Sequence, residues 1–285
     1  MIESVGQYRL LEQVGRGPAG DVFRARDTRA GRTVTLRVFP AHLSAATDEG
    51  RRFLDAASEA AALSHPNIAA VYECGESAEF GGRLFMASEF LSGQTIAFLV
   101  AGTPIQPRRA LDLAAQLADA LADAHAAGIR DGHISAETVI VTQKGNAKLV
   151  DVGLARWTGT PGEARVAASD RADIQAVGEV LYHMLVGRAP LKKAPAPPSR
   201  LNAAVPRELD EVVLRALGTV PQPYEAAATF AAELRAVGAV LDVRATPEAP
   251  VGEASSGRAT ALVVVAVLAA IAAVAAWWLL RRPAS

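Results

Sequence analysis

Cys74 is the sole cysteine of the chain, so no intrachain disulfide can form and nothing points to an oxidising compartment. Neither sign of charge is in excess: 29 basic and 30 acidic side chains leave a formal net charge of −1, which argues against nucleic acid as a main partner. Histidine is sparse, and His42, His65, His125, His133 and His183 stand at none of the spacings of a metal centre. The opening run MIESVGQYRLLEQVG lacks the basic stretch and apolar core of a signal peptide, so the domain that follows is expected to fold in the cytosol. Charge is absent altogether from Ala259 to Leu280, ATALVVVAVLAAIAAVAAWWLL, and about 22 residues at 1.5 Å each are enough to cross a bilayer. A buried core helix of that length would show a polar face, whereas here Thr260 is the sole polar residue. Trp277 and Trp278 beside Arg281 and Arg282 suit the membrane interface.

What is present fits one medium domain with a small appendage: 285 residues, 51% of them hydrophobic, are too few for two full cores. From Tyr8 to Pro40 apolar and polar residues alternate around a glycine turn, as in antiparallel strands over one core face. Leu111, Leu113, Ala114, Leu117, Ala120, Leu121 and His125 recur at helical spacing between Pro107 and Gly128, which predicts a long buried helix. Leu209 to Leu217 and Ala226 to Leu241 read as closing amphipathic helices. Asp242 to Arg258, rich in Pro, Ala, Glu, Gly and Ser, reads as a linker to the apolar run.

The segment His125 to Arg156, HAAGIRDGHISAETVIVTQKGNAKLVDVGLAR, resembles the catalytic segment of protein kinases, H-x-x-G-I-x-H-R-D-L-K-P-x-N-I-L followed by K-L-x-D-F-G-L-A. Aligning Gly128-Ile129 on the G-I puts Asp131, Gly132 and His133 on H-R-D, Ser135 on the lysine and Thr138 on the metal-binding asparagine. The other register, with Arg130-Asp131 as R-D, needs two compensating slips when counted back from Asp151 and leaves Ala136 at the asparagine. His133 is therefore expected at the base position, and Asp151 alone keeps its chemical type.

The resemblance extends over about Tyr8 to Val240. Gly15, Gly17, Gly20 and Val22 match the glycine-rich G-x-G-x-x-G-x-V loop over the ATP phosphates, with Pro18 contributing no N–H at its tip. Arg37, in Val34-Thr35-Leu36-Arg37, takes the place of the phosphate-orienting lysine, a swap that is not conservative at a fitted site. Counted back from His65-Pro66-Asn67-Ile68, the glutamate that would pair with that lysine falls on Ala56, and neighbouring Asp55 and Glu59 read as a solvated helix face. Ser88 falls at the gatekeeper, with Glu89, Phe90 and Leu91 as the hinge that would bond adenine through its backbone, or as a plain linker strand. The helix beginning Asp173-Ile174-Gln175-Ala176-Val177-Gly178 is recognisable, but the activation segment before it is short and lacks A-P-E. Where the family keeps an arginine that would pair with that glutamate, this chain has Pro223. Pro195, Pro197 and Pro198 exclude a regular helix where the family carries a substrate-docking one.

The resemblance thus implies an α+β, two-lobed kinase-like fold over residues 1–242, with a β-rich N-lobe to about 91 and a helical C-lobe from 92. A juxtamembrane linker (243–258), a transmembrane helix (259–280) and a short tail (281–285) are expected to follow. Phosphoryl transfer needs a lysine held by glutamate, metal on an Asp and an Asn, and a carboxylate that orients the hydroxyl. Arg37, Ala56, His133 and Thr138 replace four of those groups, Asp151 keeps the fifth, and Ser135 replaces the lysine that follows H-R-D. The expectation is a catalytically impaired, membrane-anchored pseudokinase serving as a scaffold beside a protein partner, with the kinase-like domain cytoplasmic. ATP with Mg2+ on Asp151, more weakly on Thr138, and no cofactor at all remain the alternatives. An active kinase or nucleotidyl transferase using His133 as base is the other functional reading. Ala266, Ala270 and Val274, with Ala269, Ala273 and Trp277, recur at four-residue spacing that permits homodimerisation in the bilayer. Arg244 and Arg258 balance Arg281 and Arg282, so charge does not set the orientation.

Overall fold

In the amino-terminal part, β-rich alternation becomes a sheet with two different faces. The computed structural model describes residues 4–158, 169–191 and 194–245. Strands β1 (Ser4–Val5), β2 (Tyr8–Gly17), β3 (Gly20–Asp27), β4 (Arg32–Val38), β5 (Val71–Ser77) and β6 (Arg83–Glu89) form one sheet in the order β1-β2-β3-β4-β6-β5, antiparallel throughout. Tyr8, Ala25, Val34, Leu36, Val38, Phe85 and Ala87 cluster as one core. A second core gathers Phe39, Phe53, Ala57, Ala60, Val71, Leu84, Met86 and Leu154. Helix α1 (Asp48–Ala61) packs into the second through Phe53, Ala57 and Ala60. It starts where Thr47 accepts a hydrogen bond from the Gly50 N–H at 3.0 Å, with Asp48 and Glu49 in the first turn, where acidic groups suit the helix dipole.

The carboxy-terminal part is built on α3 (Pro107–Ala126), which carries ten buried residues. Pro107 sits at its first turn, where a missing N–H costs nothing. Against α3 lies α5 (Asp170–Val186), and the two share the largest apolar core. Each large side chain buried there contributes about 1.5–3 kcal/mol. Short elements β7 (Gly93–Thr95), α2 (Ile96–Val100), β8 (Ile140–Thr142) and β9 (Ala147–Lys148) close the cleft side, β7-β8-β9 forming a three-stranded sheet. Then come α4 (Ala155–Thr158), α6 (Pro198–Leu201), α7 (Glu208–Ala216) and α8 (Ala227–Ala245). Gly178 lets α5 approach α7, since a Cβ there would stand 2.8 Å from the Ala216 Cβ.

The two-lobed α+β expectation agrees with this architecture, with refinements. Helix α5 begins at Asp170, three residues before the expected Asp173, because Ser169 caps it by accepting from the Ala172 N–H. The proline run is not free of helix: α6 makes one turn from Pro198, a position where the fixed φ of proline favours a helix start. Where the family's arginine is replaced by Pro223, Arg215 pairs with Glu233 at 2.7 Å and stacks over Tyr224 at 4.3 Å, tying α7 to α8. The expected transmembrane helix 259–280, its tail, nearly all of the linker and residues 159–168 of the activation segment lie outside the described residues. Among the described residues no helix is long and apolar enough to cross a membrane.

Candidate functional site

The glycine loop is the turn of the β2–β3 hairpin, where Gly17 and Gly20 face each other across Pro18-Ala19 and Gly15 faces Val22. Gly20 is required by the fold itself: its φ is +111°, and a Cβ would meet the Val38 carbonyl oxygen at 2.2 Å. Gly17 is different, because a Cβ there would meet nothing within 4 Å. A side chain there would point into open space. Beneath the turn lies a cavity of ≈ 240 Å³ lined by Arg16, Gly17, Pro18, Ala19, Gly20, Val22, Arg37 and Thr158.

Arg37 stands on β4 opposite Val22. Its Nη2 donates to Asp151 Oδ2 at 3.0 Å, and the two side chains are only 18% and 17% exposed. On α1, Ala56 is partly buried and apolar, while Asp55 and Glu59 are exposed. The acid that holds Arg37 comes instead from Asp151, which follows β9 with φ +55°. A non-glycine residue in that left-handed region is uncommon and concentrates at functional sites. Gly153 beside it, at φ +76°, has Ile129 Cγ2 2.7 Å from where a Cβ would be, so the turn is tightly packed.

The loop between α3 and β8 carries His133. Asp173, fully buried on α5, accepts from the Asp131 N–H at 2.9 Å, the Gly132 N–H at 2.8 Å and the His125 ring at 2.9 Å. His125 is thus a packed helix-end residue that holds an acid. Asp131 turns its own carboxyl inward: it is 6% exposed, and its Oδ1 accepts from the His133 N–H at 2.9 Å. Burial first, then the Asp173 carboxylate, push the Asp131 carboxyl up to about 8, against the pull of the His133 N–H. His133 is half-buried. The Thr138 hydroxyl donates to the His133 carbonyl at 2.9 Å and accepts from the Ser135 N–H at 2.9 Å, while Ser135 Oγ accepts from the Glu137 and Thr138 N–H groups. Ser135 and Thr138 therefore staple the loop to itself.

At the hinge Ser88 is buried on β6 opposite Thr35 and Val71. The Glu89 carboxylate is taken by Lys148 at 2.6 Å and accepts from the Ala70 N–H, and its own N–H donates to the Ala70 carbonyl at 2.8 Å. Leu91 lies outside the strands and leaves its backbone groups without a partner among the described residues. Cys74 supplies no nucleophile, since burial pushes its thiol up to about 12.

Three features of the cleft had no signal in the sequence. Lys148 braces the hinge through Glu89. Glu49 on α1 receives Arg156 through both oxygens at 2.9 Å and the Trp157 ring N–H at 2.9 Å. Trp157 also lies edge-on to Phe53 at 5.7 Å, and this clasp sets Thr158 in the cavity wall below the glycine turn. Asp173 is the third, legible as a helix residue but not as the anchor of the loop.

The magnesium positions of a kinase do not fit these residues. Asp151 is already paired with Arg37, and Thr138, whose hydroxyl donates to the His133 carbonyl and accepts from the Ser135 N–H, offers no carboxylate or amide as a second ligand for a hard cation. Among the described residues no group of three or more His, Cys, Asp or Glu side chains is placed to hold a metal.

Comparison with known proteins agrees with the architecture. The family model "Protein kinase domain" matches residues 8–170. The serine/threonine-protein kinase PknB of Mycolicibacterium smegmatis is 34% identical over 264 residues, a match covering 80% of this chain and 42% of that protein. The serine/threonine-protein kinase PrkC of Bacillus subtilis is 27% identical over 263 residues, covering 81% and 40%. The chain spans less than half the length of these relatives. Among solved structures, a double mutant of the Mycobacterium tuberculosis PknI kinase domain superposes with a TM-score of 0.68 at 25% identity, covering 83% of this chain and 98% of that one. With the hairpin-covered cleft, the two lobes and the matched span in agreement, the chain belongs to the protein kinase family, among the bacterial eukaryotic-like Ser/Thr kinases.

Proposed function

We propose that this chain is a catalytically impaired member of its family, a membrane-anchored module that binds ATP in the cleft and a protein partner outside it. The observation that carries the impaired reading is the state of the loop. Asp131, the one acid between Gly128 and Ile134, is buried and bonded to its own loop, so the position that orients the hydroxyl nucleophile is left to an imidazole. A kinase also needs a cation on the phosphates that is steadied by a helix carboxylate. Here that cation is bound to the residue that should hold the metal. The glycine turn, the open space at Gly17 and the free backbone of Leu91 support retention of a nucleotide.

The test is phosphoryl transfer by the full chain, to itself and to general protein substrates, with and without magnesium. The expected result is no incorporation above that of Asp151→Ala. Robust transfer that Asp151→Ala abolishes would sink the impaired reading, and transfer lost in His133→Ala would favour the histidine as base.

The anchor is proposed from residues 259–280, and the cytoplasmic placement of the domain goes with it. The full chain is expected to stay with membranes through high-salt and carbonate washes, and a chain ending at 258 is expected to be released. Recovery of the full chain in the wash removes the anchor and the partner-at-the-membrane reading with it.

A further inference from the structure

We infer that the cleft takes its nucleotide without a divalent cation, the Arg37 guanidinium linking Asp151 to the phosphates where a kinase would place a metal ion. The inference rests on the proposal that a nucleotide is bound. Its starting point is the misfit between magnesium and the residues present.

Two positive groups compete for one carboxylate. Asp151 holds Arg37 at 3.0 Å with both side chains largely out of water, and magnesium on the same oxygens would face the guanidinium at close range in a poorly screened place. In a kinase the helix glutamate takes the cationic side chain and frees the aspartate. That route is closed here because Ala56 has no charge and Asp55 and Glu59 face solvent. Arg37 is left with Asp151 as its acid.

The guanidinium is also suited to hold two anions at once. It has five N–H donors in a planar fork, of which the Asp151 bond uses one on Nη2. Its Nε is buried with no partner among the described residues, and its side chain lines the cavity under the glycine turn. An ammonium on a lysine stem is a point charge that has to divide itself between carboxylate and phosphate, whereas the fork can bond both. Arg16, held by Asp21 at 3.1 Å, lines the same cavity. The ligand class is therefore a nucleoside di- or triphosphate in its metal-free form.

The experiment is calorimetric titration of the full chain with ATP, once in EDTA and once in millimolar magnesium. The affinity in EDTA is expected to lie within about threefold of that in magnesium. Asp151→Asn separates the models by sign. If Asp151 is a metal ligand the variant loses affinity in magnesium; if it only partners Arg37, removing its negative charge from beside the phosphates gives a gain, by about tenfold in EDTA. The shorter Arg37→Lys is expected to release Asp151 and make binding depend on magnesium, and thermal unfolding of each variant confirms that it is folded. Magnesium tightening binding to the unaltered chain by about tenfold or more, or loss of affinity in Asp151→Asn, overturns this inference and leaves nucleotide binding standing. No heat with either form of ATP overturns nucleotide binding as well.

Discussion

Replacing Asp173 by alanine is expected to destabilise the protein by about 3–5 kcal/mol, the range seen when a buried charged hydrogen-bond hub is removed. The carboxylate is fully buried and accepts from two backbone amides and one imidazole, at 2.8 to 2.9 Å. Truncation leaves the Asp131 and Gly132 N–H groups without an acceptor inside the lobe, at about 1–3 kcal/mol for each buried donor. Typical domains have only about 5–15 kcal/mol in all, so the loss is a large share of the total. Asp173→Asn should fall between, because the amide keeps one acceptor oxygen and presents an NH2 to the other donor. Urea unfolding of the three chains gives the order directly. A midpoint for Asp173→Ala indistinguishable from that of the unaltered chain would show that the loop is held elsewhere, by the Ser135 and Thr138 turn or by the packing of Ile129 and Ile134.

The ease with which the site could be read depends on the range of the contact involved. The glycine turn, Arg37 and Asp151 each sit in a local pattern, and spacing was enough to bring them to one cleft. The bond between Arg37 and Asp151 spans 114 positions, and nothing local marks it: with Ala56 where the partner glutamate would stand, the sequence named no acid for Arg37. The Glu49 clasp on Arg156 and Trp157 and the Lys148 bridge to Glu89 are of the same long-range kind. Thr138 shows the reverse, a position chosen by alignment whose chemistry is settled locally. A Ser-x-x-Thr run at a turn bonds its own backbone, and that signal was present in Ser135-Ala136-Glu137-Thr138. The core was the most legible part because apolar periodicity reports burial directly, as α3 illustrates, and helix ends were less so because caps such as Ser169 lie outside the periodic pattern.

Asp131 should make the stability of this protein fall as the medium becomes more alkaline, opposite to the behaviour of an ordinary salt-bridged acid. Its carboxyl is pushed from 3.8 up to about 8, first by burial and then by Asp173. Between those values the folded chain keeps a proton that the unfolded chain gives up. The slope of stability with pH is therefore negative there, about 1.4 kcal/mol per pH unit for one group, and it levels off above the folded value. Asp131→Asn removes the titration but keeps an oxygen for the His133 N–H, so the variant is expected to be the more stable chain by a few kcal/mol near neutrality. Its advantage should grow from about pH 5 to pH 8 and shrink to little near pH 4. Subtracting the two curves cancels the other carboxylates, whose share is common to both chains. A difference that does not change with pH would mean that Asp131 is ionised in the folded state throughout, and so reaches water or a cation in the cleft. The same burial bears on catalysis: a carboxyl that is turned inward, bonded to its own loop and shifted toward its neutral form is not placed to accept a proton from a hydroxyl nucleophile. A loss of stability that runs from about pH 4 to pH 8 and then levels off, and an absence of transfer, are thus two consequences of one buried acid.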